Sequence, residues 1–461
     1  MSLLLRRGLA TKTLFPTPSV RSILAADIPV ENNNVLLRGW IRSVRKQKSV
    51  CFAVLNDGTT LKGIQAILNG DDADKLTTGA CVELQGSVTA SPGKEQSKEI
   101  QVHGLRVLGE CDGTYPLQKK RHTHEFLRTI NHLRARGNVG SAVLRVRNAA
   151  SEGLHQFFAG QEFIQVHTPI LTSHDCEGAG EVFKVTPSTA PSDFFKKPAF
   201  LTVSGQLHAE MLASAMSRVY TFGPVFRAEE SLTSRHLAEF WMLEAEMTFI
   251  DQLDQLLDVT EASVQQTTSH VLSRCSEDIE LFNRWTDTTL LDRLHKSIDQ
   301  PFVRMTYTEA IEILQKTKKK FEFPTTWGSS LQTEHERYLA SEYCGRPVFV
   351  TDYPTHLKPF YMRANDDNGK TVSCFDLLIP GVGELVGGSM REERHDILKK
   401  KMEAAAMNVD EYQWYLDLRK YGSAPHGGYG IGFERLLLWL TGLENVREVV
   451  PVPRWFGHCN Y

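Results

Sequence analysis

Three stretches of the chain carry side chains that could do chemistry together. In GPVFRAEESLTSRHLAEFWMLEAEM, residues 223–247, two strand-like runs flank a polar loop that brings Arg227, Arg235 and His236 to one end. Two guanidiniums and an imidazole suit a triphosphate, because each arginine offers a planar fork of donors matched to phosphate oxygens. Phe240 then stands where it can stack on a base. In GGYGIGFERLLLWLTG, residues 427–442, Gly428, Gly430 and Gly432 alternate along a strand and clear one face for a flat ligand, with Arg435 in the first turn of the helix that follows. In FDLLIPGVGELVGGSMREE, Asp376 and Glu384 bracket a Pro-Gly turn, and Arg391 lies two residues beyond Ser389. Carboxylates beside an arginine cluster are what an oxygen-seeking Mg2+ ion needs in order to bridge a nucleotide to protein. A carboxylate pair acting as general acid and base is the rival reading. No GxSxG or Cys/His signature supports hydrolysis. Taken singly, the same stretches also describe a salt-bridged hairpin and a close-packed glycine strand.

These residues need a frame. From Val35 to about Leu108, five strand-like runs are separated by Gly, Asn-Asp-Gly and Ser-Pro-Gly turns, the pattern of a small OB-type barrel that grips unpaired nucleic acid on one face. Between residues 36 and 63 the bases Arg38, Arg42, Arg45, Lys46, Lys48 and Lys62 face a single acid, Asp57. A basic hinge follows over 113–138. From Val139 onward a long helix feeds the extended EFIQVHTPIL, a helical insertion spans about 251–340, and PVFVTDYP, PFYMRAN, SCFDLLIP and ELVGGSM read as strands before a closing helix. The predicted fold is α+β: a barrel over 30–112, then a domain over 139–461 with an antiparallel sheet flanked by helices.

Composition narrows the class. Fifty-five acids against 52 Lys plus Arg give a net charge of −3, so any basic surface is local. The 8 cysteines form no CxxC pair, which disfavours a zinc ribbon or a disulfide framework. No apolar run approaches the roughly 20 residues of a membrane span, so no membrane insertion is expected. Neither a P-loop nor a Rossmann fingerprint is present. Residues 1–25 carry Arg6, Arg7, Lys12 and Arg21 among hydroxyl residues, with no acid before Asp27, the balance of a mitochondrial transit segment. The expected compartment is the mitochondrial matrix.

Jointly, the three stretches resemble the motifs of class II aminoacyl-tRNA synthetases. FRAEESLTSRHLAEF looks like motif 2, GYGIGFERLLLWLTG like motif 3, and the region of HTPIL like motif 1, which helps form a homodimer. The preceding barrel matches the aspartyl, asparaginyl and lysyl subgroup, and DYPTHLKPFYMRAN, PGVGELVGGSMREER and WYLDLRKYG are most similar to asparaginyl enzymes. Aspartyl enzymes typically show QxxKQ, with a lysine facing the substrate carboxylate. Here the stretch is Gln206-Leu207-His208-Ala209-Glu210, without that cation, so an amide substrate is implied.

The resemblance implies ATP and Mg2+ as cofactors and asparagine and tRNA(Asn) as substrates. Glu177 and Gln206 would hold the α-ammonium and Arg391 the side-chain carbonyl. Arg227 would hold the α-phosphate, His236 and Arg435 the distal phosphates, and Phe240 would stack on adenine with Glu229 nearby. Asp376 and Glu384 would bind Mg2+. In the barrel, Phe52 and Gln65, with Glu99 a weaker third, fall where the subgroup reads an anticodon base. An aspartyl or non-discriminating enzyme and an inactive RNA-binding paralogue are the alternatives.

Overall fold

A computed structural model describes residues 17–25, 34–93, 96–173, 182–188 and 193–461. The chain forms two compact units, residues 1–142 and 143–461.

The first unit is built on alternation. Along β1 (Val35–Lys46), Val35, Leu37, Gly39 and Ile41 are buried while Arg38 and Trp40 face out, so each strand contributes one apolar face. β2 (Val50–Asn56), β3 (Ile64–Asn69), β4 (Cys81–Ala90) and β5 (Lys98–Gly109) complete a closed barrel in the order β1-β2-β3-β5-β4. Leu37, Ile41, Leu55, Ile64, Leu84 and Ile100 fill it. Gly63 is obligatory at its corner: its φ is +76°, and an added Cβ would lie 2.3 Å from the Leu55 carbonyl oxygen.

The barrel has a lid inside the segment read as leader. Helix Val20–Ala25 inserts Val20 and Ile23 into the same apolar core. Its first amide donates to Asp57 Oδ2 at 2.8 Å, and Lys98 Nζ donates to the Ile23 carbonyl at 2.9 Å. The folded domain therefore starts no later than residue 20, not at residue 30. Burying a Val and an Ile is worth about 1.5–3 kcal/mol each. A chain beginning at residue 26 should accordingly be about 3 kcal/mol or more less stable in its barrel than one beginning at residue 17, as read by thermal denaturation.

The second unit is organised by an eight-stranded sheet in the order β11-β12-β13-β14-β15-β10-β9-β6. Its strands are β6 (Ile164–Gln165), β9 (Arg218–Phe226), β10 (Glu239–Thr248), β11 (Val303–Thr306), β12 (Val348–Thr351), β13 (Cys374–Ile379), β14 (Gly383–Met390) and β15 (His426–Gly432). β7 (Leu171–Thr172) and β8 (Phe200–Leu201) make a separate ribbon. The sheet is mixed, not purely antiparallel, because β11 runs parallel to β12 and β6 parallel to β9 at the two edges. β11 lies within the stretch expected to be a helical insertion. It reaches β12 through helix Tyr307–Lys316, as a parallel connection requires. PFYMRAN is not a strand. After Pro359 it makes only isolated bridges, Met362 to Arg391 and Ala364 to Val372.

One face of the sheet is covered by helices. Leu243, Ala245 and Met247 of β10 and Tyr429 and Ile431 of β15 are buried, as is most of helix Phe433–Thr441. Helix Asn138–Gly160 adds Phe158, stacked on Tyr220 at 4.7 Å. The alternate residues of the same strands face the other way, and they build the site.

Candidate active site

β10 pairs with β15 so that Met242 lies opposite Gly432, Glu244 opposite Gly430 and Glu246 opposite Gly428. On the far side of β15, Gly387 of β14 faces Gly430, and Asp376 of β13 faces Gly387. The result is a bare backbone floor with carboxylates at its margins. Gly428 is required: a Cβ there would sit 1.9 Å from Glu246 Oε2.

At one end of this floor a cavity of about 130 Å3 is lined by Arg227, Glu229, Arg235, His236, Phe240, Glu384, Gly387, Gly430, Gly432 and Arg435. Residues from three distant stretches therefore share one hollow. Arg227 lies over the Phe240 ring, its guanidinium carbon 5.4 Å from the centroid. Arg435 donates to the Glu384 carbonyl at 2.8 Å and approaches Oε2 at 3.3 Å. Its neighbour Glu434 accepts from the Trp241 amide at 2.9 Å and Arg147 at 2.8 Å, which fastens the helix start to β10. His236 bonds Ser231 Oγ at 2.8 Å and Thr233 Oγ1 at 2.6 Å, and its Nε2 lies 3.2 Å from Glu229. Arg235 sits beside Glu336, 3.7 Å away. Burial and the nearby Glu384 carboxylate push the Glu336 carboxyl up to about 7.

The other end of the floor is a buried ionic cluster. Arg391 donates from Nε and Nη2 to the two oxygens of Glu246, both at 2.8 Å, and from Nη1 to Ser389 Oγ at 2.7 Å, with Glu210 3.7 Å away. Glu210 also accepts from Arg419 at 2.7 Å and Tyr415 at 2.6 Å, and His426 Nε2 is 3.3 Å distant. Gln206 donates to Glu210 at 3.0 Å. Glu244 accepts from the Gly205 amide at 2.8 Å and from Ser204 Oγ. Ala209 packs with Ala213 and Val219, so in helix Gln206–Met216 it is Gln206 and Glu210, not position 209, that join the cluster.

Burial alone would raise the Glu210 carboxyl, but Arg419, His426 and Arg391 hold it well below the ordinary carboxylate range. A carboxyl depressed on folding stabilises the fold above its unfolded value near 4.5 and loses that contribution as pH falls through the folded value. The melting midpoint of the protein should thus drop steeply below about pH 4.5. A Glu210→Gln variant, less stable at neutral pH, should show a shallower acid slope in thermal denaturation across that range.

Asp376 departs from its expected role as a metal ligand. Lys358 Nζ lies 2.9 and 2.8 Å from its two oxygens, so an internal cation already holds both. Among the described residues no group of three or more His, Cys, Asp or Glu side chains is placed to hold one metal ion. Glu384 retains an exposed carboxylate in the cavity, which fits a Mg2+ ion that takes one protein oxygen and completes its shell with phosphate and water. Glu177 lies outside the described residues.

In the barrel, Phe52 faces outward, under the Arg45 guanidinium at 5.0 Å, and is not part of the apolar core. Gln65 donates to Glu99 at 3.3 Å. Glu99 is buried and also bonded by Ser91 and Gln101, which makes it an anchor for the Gln65 amide and not an exposed reader. Arg38 and Lys46 of the basic patch are paired with Glu83 and Asp74.

The model of class II tRNA synthetases for D, K and N matches residues 123–455, and that of an OB-fold nucleic acid binding domain matches residues 35–108. The asparagine–tRNA ligase of Protochlamydia amoebophila is 50% identical, over 96% of this chain and 98% of its own. The chain belongs to the asparaginyl-tRNA synthetase family. The asparagine–tRNA ligase of Nostoc is likewise 50% identical, over 94% of this chain and 97% of its own. The crystal structure of asparaginyl-tRNA synthetase from Pyrococcus horikoshii complexed with asparaginyl-adenylate aligns with a TM-score of 0.83 at 32% identity, covering 92% of this chain and 96% of that one. Glu210, Glu244, Glu246, Arg419 and Lys358 had not been singled out from sequence. The alternation of Glu244 and Glu246 in FWMLEAE, on the face shared with Phe240, was the available signal.

Proposed function

We propose that the protein activates asparagine with ATP to an asparaginyl-adenylate and transfers it to tRNA(Asn), as a homodimer in the mitochondrial matrix. The observation carrying this reading is the pairing of cations. Arg227, Arg235 and Arg435 line one hollow, whereas Arg391 and Arg419, in the buried cluster at the other end of the floor, are already matched to Glu246 and Glu210. An aspartate side chain would bring an additional buried negative charge with no cation left for it, while an amide needs none.

In this reading Gln206, Glu244 and Ser204 receive the α-ammonium, with Glu177 a further candidate, and Arg391 presents a donor to the side-chain carbonyl. Arg227 holds the α-phosphate and Phe240 stacks on adenine. His236, Arg235 and Arg435 receive the distal phosphates, and Glu229 orients His236. Mg2+ held by Glu384 would neutralise phosphate charge. The asparagine carboxylate attacks the α-phosphate in line, pyrophosphate leaves, and the terminal ribose hydroxyl of the tRNA then displaces AMP. No enzymic nucleophile is needed, so acceleration comes from orientation and fixed charge. Pyrophosphate exchange measured with asparagine and aspartate side by side tests the reading. Exchange driven equally by aspartate would overturn the asparagine assignment, and none with either would overturn the activity.

The outward Phe52 is proposed to stack on an anticodon base. Phe52→Ala should cost about 1–3 kcal/mol of tRNA binding while leaving pyrophosphate exchange unchanged. The apolar Ile164, Ile170 and Leu171, each more than 40% exposed in the motif 1 region, support a second copy as partner. Among the described residues no helix is long and apolar enough to cross a membrane. The compartment rests on the acid-free leader, and imaging fluorescent fusions with and without residues 1–16 tests it.

A further inference from the structure

Lys358 stands where a metal ion was expected. It follows the short turn Thr355–Leu357, and its ammonium contacts both oxygens of Asp376 and lies 3.9 Å from the centre of the Tyr353 ring. Both partners of this ion pair are largely buried, with side chains 15% and 17% exposed. A buried pair of this kind contributes little net stability, because desolvation offsets most of the attraction. Its location is more telling. A Cβ built on Gly387 would lie 3.4 Å from Glu384 Oε1 and 3.7 Å from Asp376 Oδ1, so the two carboxylates flank the same bare spot of the floor. Two carboxylates converging on an open, anion-lined spot would attract a divalent cation from solvent before any substrate arrived. Lys358 already neutralises one of them.

We propose that Lys358 is a resident counter-cation that withdraws Asp376 from metal coordination, so that a divalent ion enters only with the nucleotide, through Glu384. The proposal rests on the reading of this cavity as an ATP site. It makes Lys358 a positioning residue: it fixes how many protein carboxylates, and hence how many divalent ions, the empty site can engage.

The test uses Mn2+ and nucleotide-free, full-length protein, with free Mn2+ followed by electron paramagnetic resonance. Lys358→Met leaves Asp376 and Glu384 both available and should bind Mn2+ at least about tenfold more tightly than the wild type. Adding Asp376→Asn to that variant should abolish the gain. Lys358→Arg, which keeps a two-oxygen clamp, should bind no more Mn2+ than the wild type. If Lys358→Met fails to fold, as judged by circular dichroism, Lys358→Gln, which retains one donor, takes its place with the same expectation. Folded Met or Gln variants that bind Mn2+ no better than the wild type would overturn the proposal, as would a gain that survives Asp376→Asn. The measurement needs no amino acid or tRNA, so a failure of the asparagine assignment shows in the exchange assay and leaves this result untouched.

Discussion

Arg227→Ala should lower asparagine-dependent pyrophosphate exchange by about two to three orders of magnitude or more while leaving the melting midpoint nearly unchanged. The first half follows from where charge develops. In-line attack on the α-phosphate spreads negative charge over oxygens that no nucleophile or proton transfer relieves, and removing one preorganised donor in such a site typically costs about 10²–10³ in rate. Arg227 is held over Phe240 at the end of β9, where the β9–β10 ladder closes with Phe226 opposite Glu239. A lysine could supply the charge but not the planar fork, so Arg227→Lys should recover only part of the loss. The second half follows from its setting: Arg227 stands on the wall of the cavity, over the Phe240 ring, and not inside the buried ionic cluster that holds Arg391. Stopped-flow measurement of adenylate formation separates the chemical step from ATP binding. A rate close to that of the wild type would remove Arg227 from the reacting centre.

How much of this was legible in the chain depends on whether a residue acts through its own strand or through a neighbour distant in sequence. Phe240, Gly430, Gly432 and Arg435 belong to regular elements whose period states which face each residue occupies, so alternation and the helix start were enough to bring them to one hollow. The barrel was readable for the same reason, since its five strands alternate cleanly between turns. The edges of the large sheet were not. β6 is two residues long and β11 four, too short to show a period. Partnering was equally hidden. Asp376 looked like a metal ligand because its spacing from Glu384 suits one, and nothing local announced that Lys358, eighteen residues earlier, would clamp it. The leader was read by composition alone, which cannot distinguish a cationic tail from the amphipathic turn in which Val20 and Ile23 plug the barrel.

Arg391→Leu should be the most destabilising single change in the active site, costing about 3–5 kcal/mol, because it strips a buried carboxylate of its partner. Arg391 and Glu246 are both almost wholly inside the protein, joined by two parallel hydrogen bonds of 2.8 Å, and Glu210 shares the same guanidinium at 3.7 Å. With Arg391 gone, Glu246 must either stay charged without a counter-ion or take up a proton, and either route is paid from folding stability. Removing the second partner should give much of that loss back, since Arg391→Leu with Glu246→Leu replaces an ion pair by apolar packing of similar size, and a double-mutant cycle in urea denaturation would register the coupling. Function should not follow stability. The doubly substituted protein lacks the donor proposed for the asparagine carbonyl, so its asparagine KM should remain raised even where its denaturation midpoint has recovered. If restored stability brought asparagine affinity back with it, Arg391 would be a structural strut and the side-chain carbonyl would need another donor.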